Sequence, residues 1–206
     1  MNTPDTPQLY LITPLDFELS RFPGLLAQLL DQHPVACVRL CLATQDEDRI
    51  SRAADALREV THARDVALVL SDHLLLVERL GLDGVHLGDA SRHVRPARKA
   101  LGNDRIVGSF CGASKHDGMT AAEAGADYVS FGPTRPTALG DGTFAQEALF
   151  SWWSEMIELP VVAEGDLTEA RVRALAPHTD FFGIGDEIWC QEDPLAAFDV
   201  FARALC

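Results

Sequence analysis

Three copies of one short pattern constrain this chain more than any other feature. Gly81-Leu82-Asp83-Gly84-Val85-His86-Leu87-Gly88 is matched by Gly125-Ala126-Asp127-Tyr128-Val129-Ser130-Phe131-Gly132, and a weaker copy runs through His178-Thr179-Asp180-Phe181-Phe182-Gly183-Ile184-Gly185. In each copy an aspartate precedes an apolar strand that closes on glycine. The intervals between copies each leave room for two strand-helix units, which predicts strands four, six and eight of a closed barrel.

The rest of the chain agrees with that reading. Further apolar runs at Leu9 to Thr13, Val35 to Leu42, Val66 to Leu70, Ile106 to Phe110 and Pro160 to Ala163 are nearly continuous, as expected of parallel strands covered on both faces. Between them lie helical patterns. In Asp46 to Val60, Ile50, Ala53, Ala54 and Leu57 recur at helical spacing while Asp48, Arg49, Arg52 and Arg58 fall on the other face. An open doubly wound sheet is the competing architecture, but no Gly-rich dinucleotide turn follows the first strand. The expectation is one α/β domain over residues 1–206, a (β/α)8 TIM barrel, at a length of 206 residues that suits that fold.

A formal charge of −14, from 17 basic and 31 acidic residues, makes the surface repel phosphate backbones and anionic lipid. Nucleic acid and membrane are therefore not expected partners. The five cysteines lack metal-ribbon or redox spacing, and the chain shows neither a leader pattern nor an apolar run near the ~18 residues that span a bilayer. A reducing cytoplasm is the expected location, and the oligomeric state stays open, a homo-oligomer included.

Several residues could carry chemistry. Arg39 sits inside an apolar run, where it either clamps an anion or pairs with a barrel carboxylate. Asp72, just beyond the third strand, either binds a metal or caps the helix expected over His73 to Leu80. Asp89 and Ser91 occupy the loop after strand four, where Asp89 and Asp72 could share Mg2+, an ion that needs few protein ligands. His86 is either a hydrogen-bonded interior residue or a substrate contact. Cys111, in the loop Ser109 to His116, is a catalytic candidate without an assignable base; its alternative is a packed small residue.

The succession Ser71-Asp72, Asp83-Gly84-Val85-His86-Leu87-Gly88, Gly125-Ala126-Asp127-Tyr128, Gly132-Pro133 and Pro136-Thr137 resembles the thiamine phosphate synthase family, which includes related thiazole tautomerases. The resemblance implies a transferase that couples hydroxymethylpyrimidine diphosphate to thiazole phosphate and releases pyrophosphate. It implies Mg2+ as cofactor and small-molecule thiamine precursors as partners. On matching positions Arg39 contacts pyrophosphate, Asp72 binds the metal, His86 lies near the pyrimidine, and Thr137, Gly165 and Gly185 belong to the substrate-binding segments.

This sequence also departs from the family pattern, mostly in the phosphate machinery. Cys41 and Gly140 stand where lysines are usual, Ser91 aligns with the second metal aspartate, and Asp89 takes a glutamine position. Asp166 and Asp186 stand in the segments that offer amides to the thiazole phosphate. A carboxylate about 4 Å from another negative charge repels it by about 4 kcal/mol at an effective dielectric of 20, so the acidified corner is expected to weaken phosphate binding unless Arg135 or a metal compensates. Two other readings follow. One is a noncatalytic paralogue that binds a thiamine-related ligand; the other is a tautomerase, whose usual histidine aligns with Ala113, leaving His116 as its substitute.

Overall fold

The computed structural model describes residues 6–136 and 142–205. Eight parallel strands close in chain order: β1 (Gln8–Ile12), β2 (Val35–Leu40), β3 (Ala67–Ser71), β4 (Gly84–Leu87), β5 (Ile106–Phe110), β6 (Tyr128–Phe131), β7 (Val161–Glu164) and β8 (Phe181–Ile184). The barrel shuts where β8 pairs with β1, Gln8 opposite Phe181 and Leu11 opposite Ile184. Around it run α1 (Phe22–Gln32), α2 (Glu47–His62), α3 (Leu74–Arg79), α4 (Val94–Leu101), α5 (Lys115–Ala124), α6 (Glu147–Met156), α7 (Glu169–Leu175), α8 (Asp186–Trp189) and α9 (Pro194–Ala204). This is the (β/α)8 barrel the repeat predicts, and its copies are β4, β6 and β8.

The repeated aspartate has a mechanical role. Asp83 donates its backbone N–H to Leu68 O at 3.0 Å while its carboxylate accepts the Leu68 N–H at 2.7 Å. Asp127 makes the same reciprocal pair with Val107 (2.8 and 2.7 Å), and Asp180 makes it with Val161 (3.1 and 2.8 Å). Each clamp satisfies an amide at the start of the preceding strand and so ties β4 to β3, β6 to β5 and β8 to β7. The repeat is therefore a register device at the amino ends of the strands.

Strand side chains alternate between two cores. Leu11, Val38, Leu68, Val85, Val107, Val129, Val161 and Phe182 face outward and pack with Leu26, Ile50, Leu57, Val77, Phe150 and Trp153 of the helices. The inner set, Tyr10, Cys37, Val69, Tyr128 and Val162, fills the barrel. A side chain at Gly108 would start 2.1 Å from the Tyr128 ring, so the glycine makes room for that phenol inside the barrel. Truncating a fully buried outer residue such as Leu57 costs about 2–5 kcal/mol.

Element ends differ from the expected ones for local reasons. β2 stops at Leu40, because the Cys41 N–H turns to the Thr13 hydroxyl at 3.0 Å. α2 starts at Glu47 because Asp46 lies outside it as its cap, accepting from the Asp48 and Arg49 amides. β7 begins one residue late, after Pro160, and runs one residue further to take in Glu164.

Candidate active site

The carboxyl ends of the strands carry the polar machinery, and its base is a chain of hydrogen bonds across the barrel. Arg39 of β2 reaches Glu164 of β7 with both terminal nitrogens, at 2.9 and 3.2 Å. The same Arg39 Nη1 lies 2.6 Å from His86 Nε2, and His86 Nδ1 lies 2.9 Å from the Tyr128 hydroxyl. Tyr128 and Tyr10 then share a hydrogen bond of 2.8 Å. These contacts join strands that are not neighbours in the sheet, so they cross the interior.

Chemistry fixes the direction of this chain. A guanidinium only donates, so His86 Nε2 accepts from Arg39, and the neutral ring carries its proton on Nδ1 and donates it to Tyr128. Burial, then the Arg39 charge, holds His86 well below its ordinary pKa. Burial opposes the charge on Arg39, but Glu164, followed by Tyr10 and Tyr128, together outweigh it and keep the guanidinium protonated. Burial pushes both tyrosines up, so they stay neutral hydroxyls. The sequence offers two roles for Arg39, and here its terminal nitrogens are committed to a carboxylate and a histidine. Among the described residues, Arg39 Nε and the Ser130 hydroxyl, both buried, have no hydrogen-bond partner.

A second cluster lies at the mouth. A cavity of about 490 Å³ is lined by Asp72, Leu74, Leu87, Gly88, Asp89 and His93. Asp72 adopts a left-handed backbone, φ 60°, and its carboxylate accepts the Gly88 N–H at 2.7 Å. It does not cap α3, which starts after His73 with no side-chain cap. Ala90 (φ 56°) and Asp166 (φ 57°) are also left-handed at this end, a clustering of backbone strain typical of functional sites. One oxygen of Asp89 is held by the His93 ring, and the other, Oδ1, is buried without a partner among the described residues. Two carboxylates on one cavity, one with an orphaned oxygen, fit a hard divalent cation that keeps most of its water. Among the described residues no group of three or more His, Cys, Asp or Glu converges, so the fit rests on this pair.

The remaining candidates fall elsewhere. Ser91 is half-buried but is not among the residues lining that cavity. Cys111 is 3% exposed and packs with the outer hydrophobic core. Its thiol contacts Ser109, and burial pushes its pKa up to about 11, so it is packed rather than presented as a nucleophile. His116 is exposed in the first turn of α5. Lys115, one of two lysines, places its ammonium 4.1 Å from the Trp152 ring centre. Thr137 and Gly140 lie outside the described residues.

Where the β7 and β8 loops meet, Asp166 is partnered and Asp186 exposed. Asp166 takes a two-pronged contact from Arg135, at 2.9 and 2.6 Å, which is the compensation expected of that arginine. Asp186 is exposed at the start of α8. Glu187, a residue the sequence did not single out, accepts the Leu167 N–H at 3.0 Å on one oxygen and the Gly185 N–H at 2.8 Å on the other. Trp189 anchors the same short helix by donating to Ile12 O at 2.6 Å. At the opposite end of the barrel, a larger cavity of about 650 Å³ is lined by residues including Gln8, His33, Asp65 and Arg203. Catalytic groups of this fold sit at the carboxyl ends, so that cavity is not the candidate site.

Fold and site together define a (β/α)8-barrel protein with a carboxylate-lined mouth over a charge-compensated interior. The thiamine monophosphate synthase family profile matches residues 9–183. The thiamine-phosphate synthase of Rhodospirillum centenum is 41% identical over 201 residues, covering 96% of this chain and 97% of that protein. That of Erythrobacter litoralis is 36% identical, covering 96% and 95%. The chain belongs to the thiamine monophosphate synthase family. Among solved structures, thiamine phosphate pyrophosphorylase from Pyrococcus furiosus superposes with a TM-score of 0.82 over 98% of this chain and 96% of its own, at 20% identity. A 3-hexulose-6-phosphate synthase superposes at 0.69 with 17% identity, covering 95% and 99%. At such identities these two matches speak for the fold alone.

Proposed function

We propose that this chain is a thiamine-phosphate synthase, joining a hydroxymethylpyrimidine diphosphate to a thiazole phosphate. The bond between the pyrimidine methylene carbon and the diphosphate oxygen breaks, and its electron pair leaves with pyrophosphate. The thiazole nitrogen then supplies the pair for the new C–N bond. No proton changes hands at the reacting atoms. That suits an interior in which His86 has no free lone pair and Cys111 stays a thiol.

The observation that carries the reading is the pairing of Asp72 and Asp89 on one cavity at the mouth of a barrel of this family. Those two carboxylates would hold Mg2+, which when bound supplies positive charge to the departing pyrophosphate. Arg39 is a positioning residue in this account, holding His86 in one tautomer while Glu164 balances its charge. The tautomerase alternative fits less well, because His116 is exposed on α5.

The test is product formation from both substrates with Mg2+, followed by mass, in the natural protein and in Asp72→Asn. Asparagine tolerates the left-handed backbone and keeps an acceptor for the Gly88 amide, so the change removes charge with little strain. A loss of at least 100-fold in turnover with unchanged melting is expected. Equal turnover by the variant would reject the metal assignment, and ligand binding without product would favour the noncatalytic paralogue.

A further inference from the structure

Phosphate in (β/α)8 barrels is commonly bound by backbone amides of the loops after β7 and β8 and by a short extra helix there. In this chain two amides at that corner, Leu167 N–H and Gly185 N–H, are already engaged by the two oxygens of Glu187. Glu187 thus bridges the two loops as an internal anion. The nearby cation Arg135 is spent on Asp166, and Asp186 adds an exposed negative charge. A phosphate dianion entering here must break two charge-assisted hydrogen bonds and then lie beside the displaced carboxylate. A hydroxyl group has neither cost.

We infer that Glu187 is a specificity residue that levels the site's preference between the phosphorylated thiazole and its unphosphorylated alcohol, so that the protein also couples the alcohol and forms thiamine directly. The inference rests on the proposed transferase reading. The bonds are those already described: the thiazole nitrogen bonds to the pyrimidine methylene carbon, pyrophosphate leaves with the electron pair, and the hydroxyl arm is untouched. Glu187 acts on the arm of the thiazole and not on the reacting atoms, so its effect falls on thiazole affinity.

Calorimetric titration of the natural protein with thiazole phosphate and with the thiazole alcohol, at matched ionic strength, is the deciding measurement. The expected result is a difference in Kd of no more than tenfold. In Glu187→Gln, which retains one acceptor at most for the two amides, thiazole phosphate should gain at least tenfold while the alcohol is unchanged. A preference of the natural protein for phosphate above tenfold overturns the inference even if the variant fails to fold, and so does a variant with no gain. Turnover with each thiazole is measured in parallel. Absence of product with both bears on the transferase reading and refutes coupling of the alcohol, while the titrations alone decide the role of Glu187 in affinity.

Discussion

Arg39 and Glu164 show how much of this site turns on single charges. The pair is buried, with side chains 9% and 11% exposed, and removing one partner leaves an uncompensated charge that costs about 3–5 kcal/mol. Glu164→Gln should therefore lower stability by about 3 kcal/mol in chemical denaturation. The double change Arg39→Met/Glu164→Leu should recover most of that loss, because it removes the stranded charge as well. A second test is pH. His86 is neutral when folded and its pKa is depressed, so the unfolded chain takes up a proton below about pH 6.5 that the native state refuses. Stability is complete above that pH and falls as pH drops, by about 1.4 kcal/mol per unit for this one group. His86→Gln should flatten the slope measured between pH 7 and 5, though only in part, because burial and Arg203 shift His33 the same way. Arg39 was visible in the sequence because a charge stood inside an apolar run. Glu164 was hidden because it stands at the end of its run, where a charge reads as the start of a loop. Glu187 gave no signal, since one acid among 31 is distinguished only by the amides it meets.

At the scale of elements, the strands were legible and their reason for repeating was not. Continuous apolar runs mark strands buried on two faces, and seven of the eight expected runs have ends that match those observed to within one residue at each end; only the second, expected to reach Leu42, stops two residues early. The repeat located β4, β6 and β8, but the role of its aspartates depends on the amides they meet in the preceding strand, which the sequence does not mark. Those clamps predict a ranking. Asp180→Ala removes the acceptor for the Val161 amide and should cost about 1–2 kcal/mol. Asp127→Ala should cost more, about 2–3 kcal/mol, because that carboxylate also meets Arg98. Urea titrations of the two variants check the order, and equal costs would show that the Arg98 contact adds nothing.

Across the whole molecule the two ends of the barrel divide the work. Aspartate clamps hold register at the amino ends, while Asp72, Ala90 and Asp166 carry left-handed backbone at the carboxyl ends, beside the paired carboxylates and the engaged amides. The sequence predicted a corner hostile to phosphate from Asp166 and Asp186, whereas the geometry neutralises Asp166 with Arg135 and puts Glu187 on the amides instead. The central claim is that Asp72 and Asp89 at the mouth would hold the Mg2+ whose charge supports the departing pyrophosphate, and that the thiazole nitrogen then captures the pyrimidine. It is tested most directly by following pyrophosphate release from the pyrimidine diphosphate in the presence of a thiazole, with and without Mg2+. With a thiazole present, the account predicts release that depends on Mg2+ and matches coupled product one for one. Failure to release pyrophosphate with either the phosphorylated or the unphosphorylated thiazole, or release without coupled product, would contradict it.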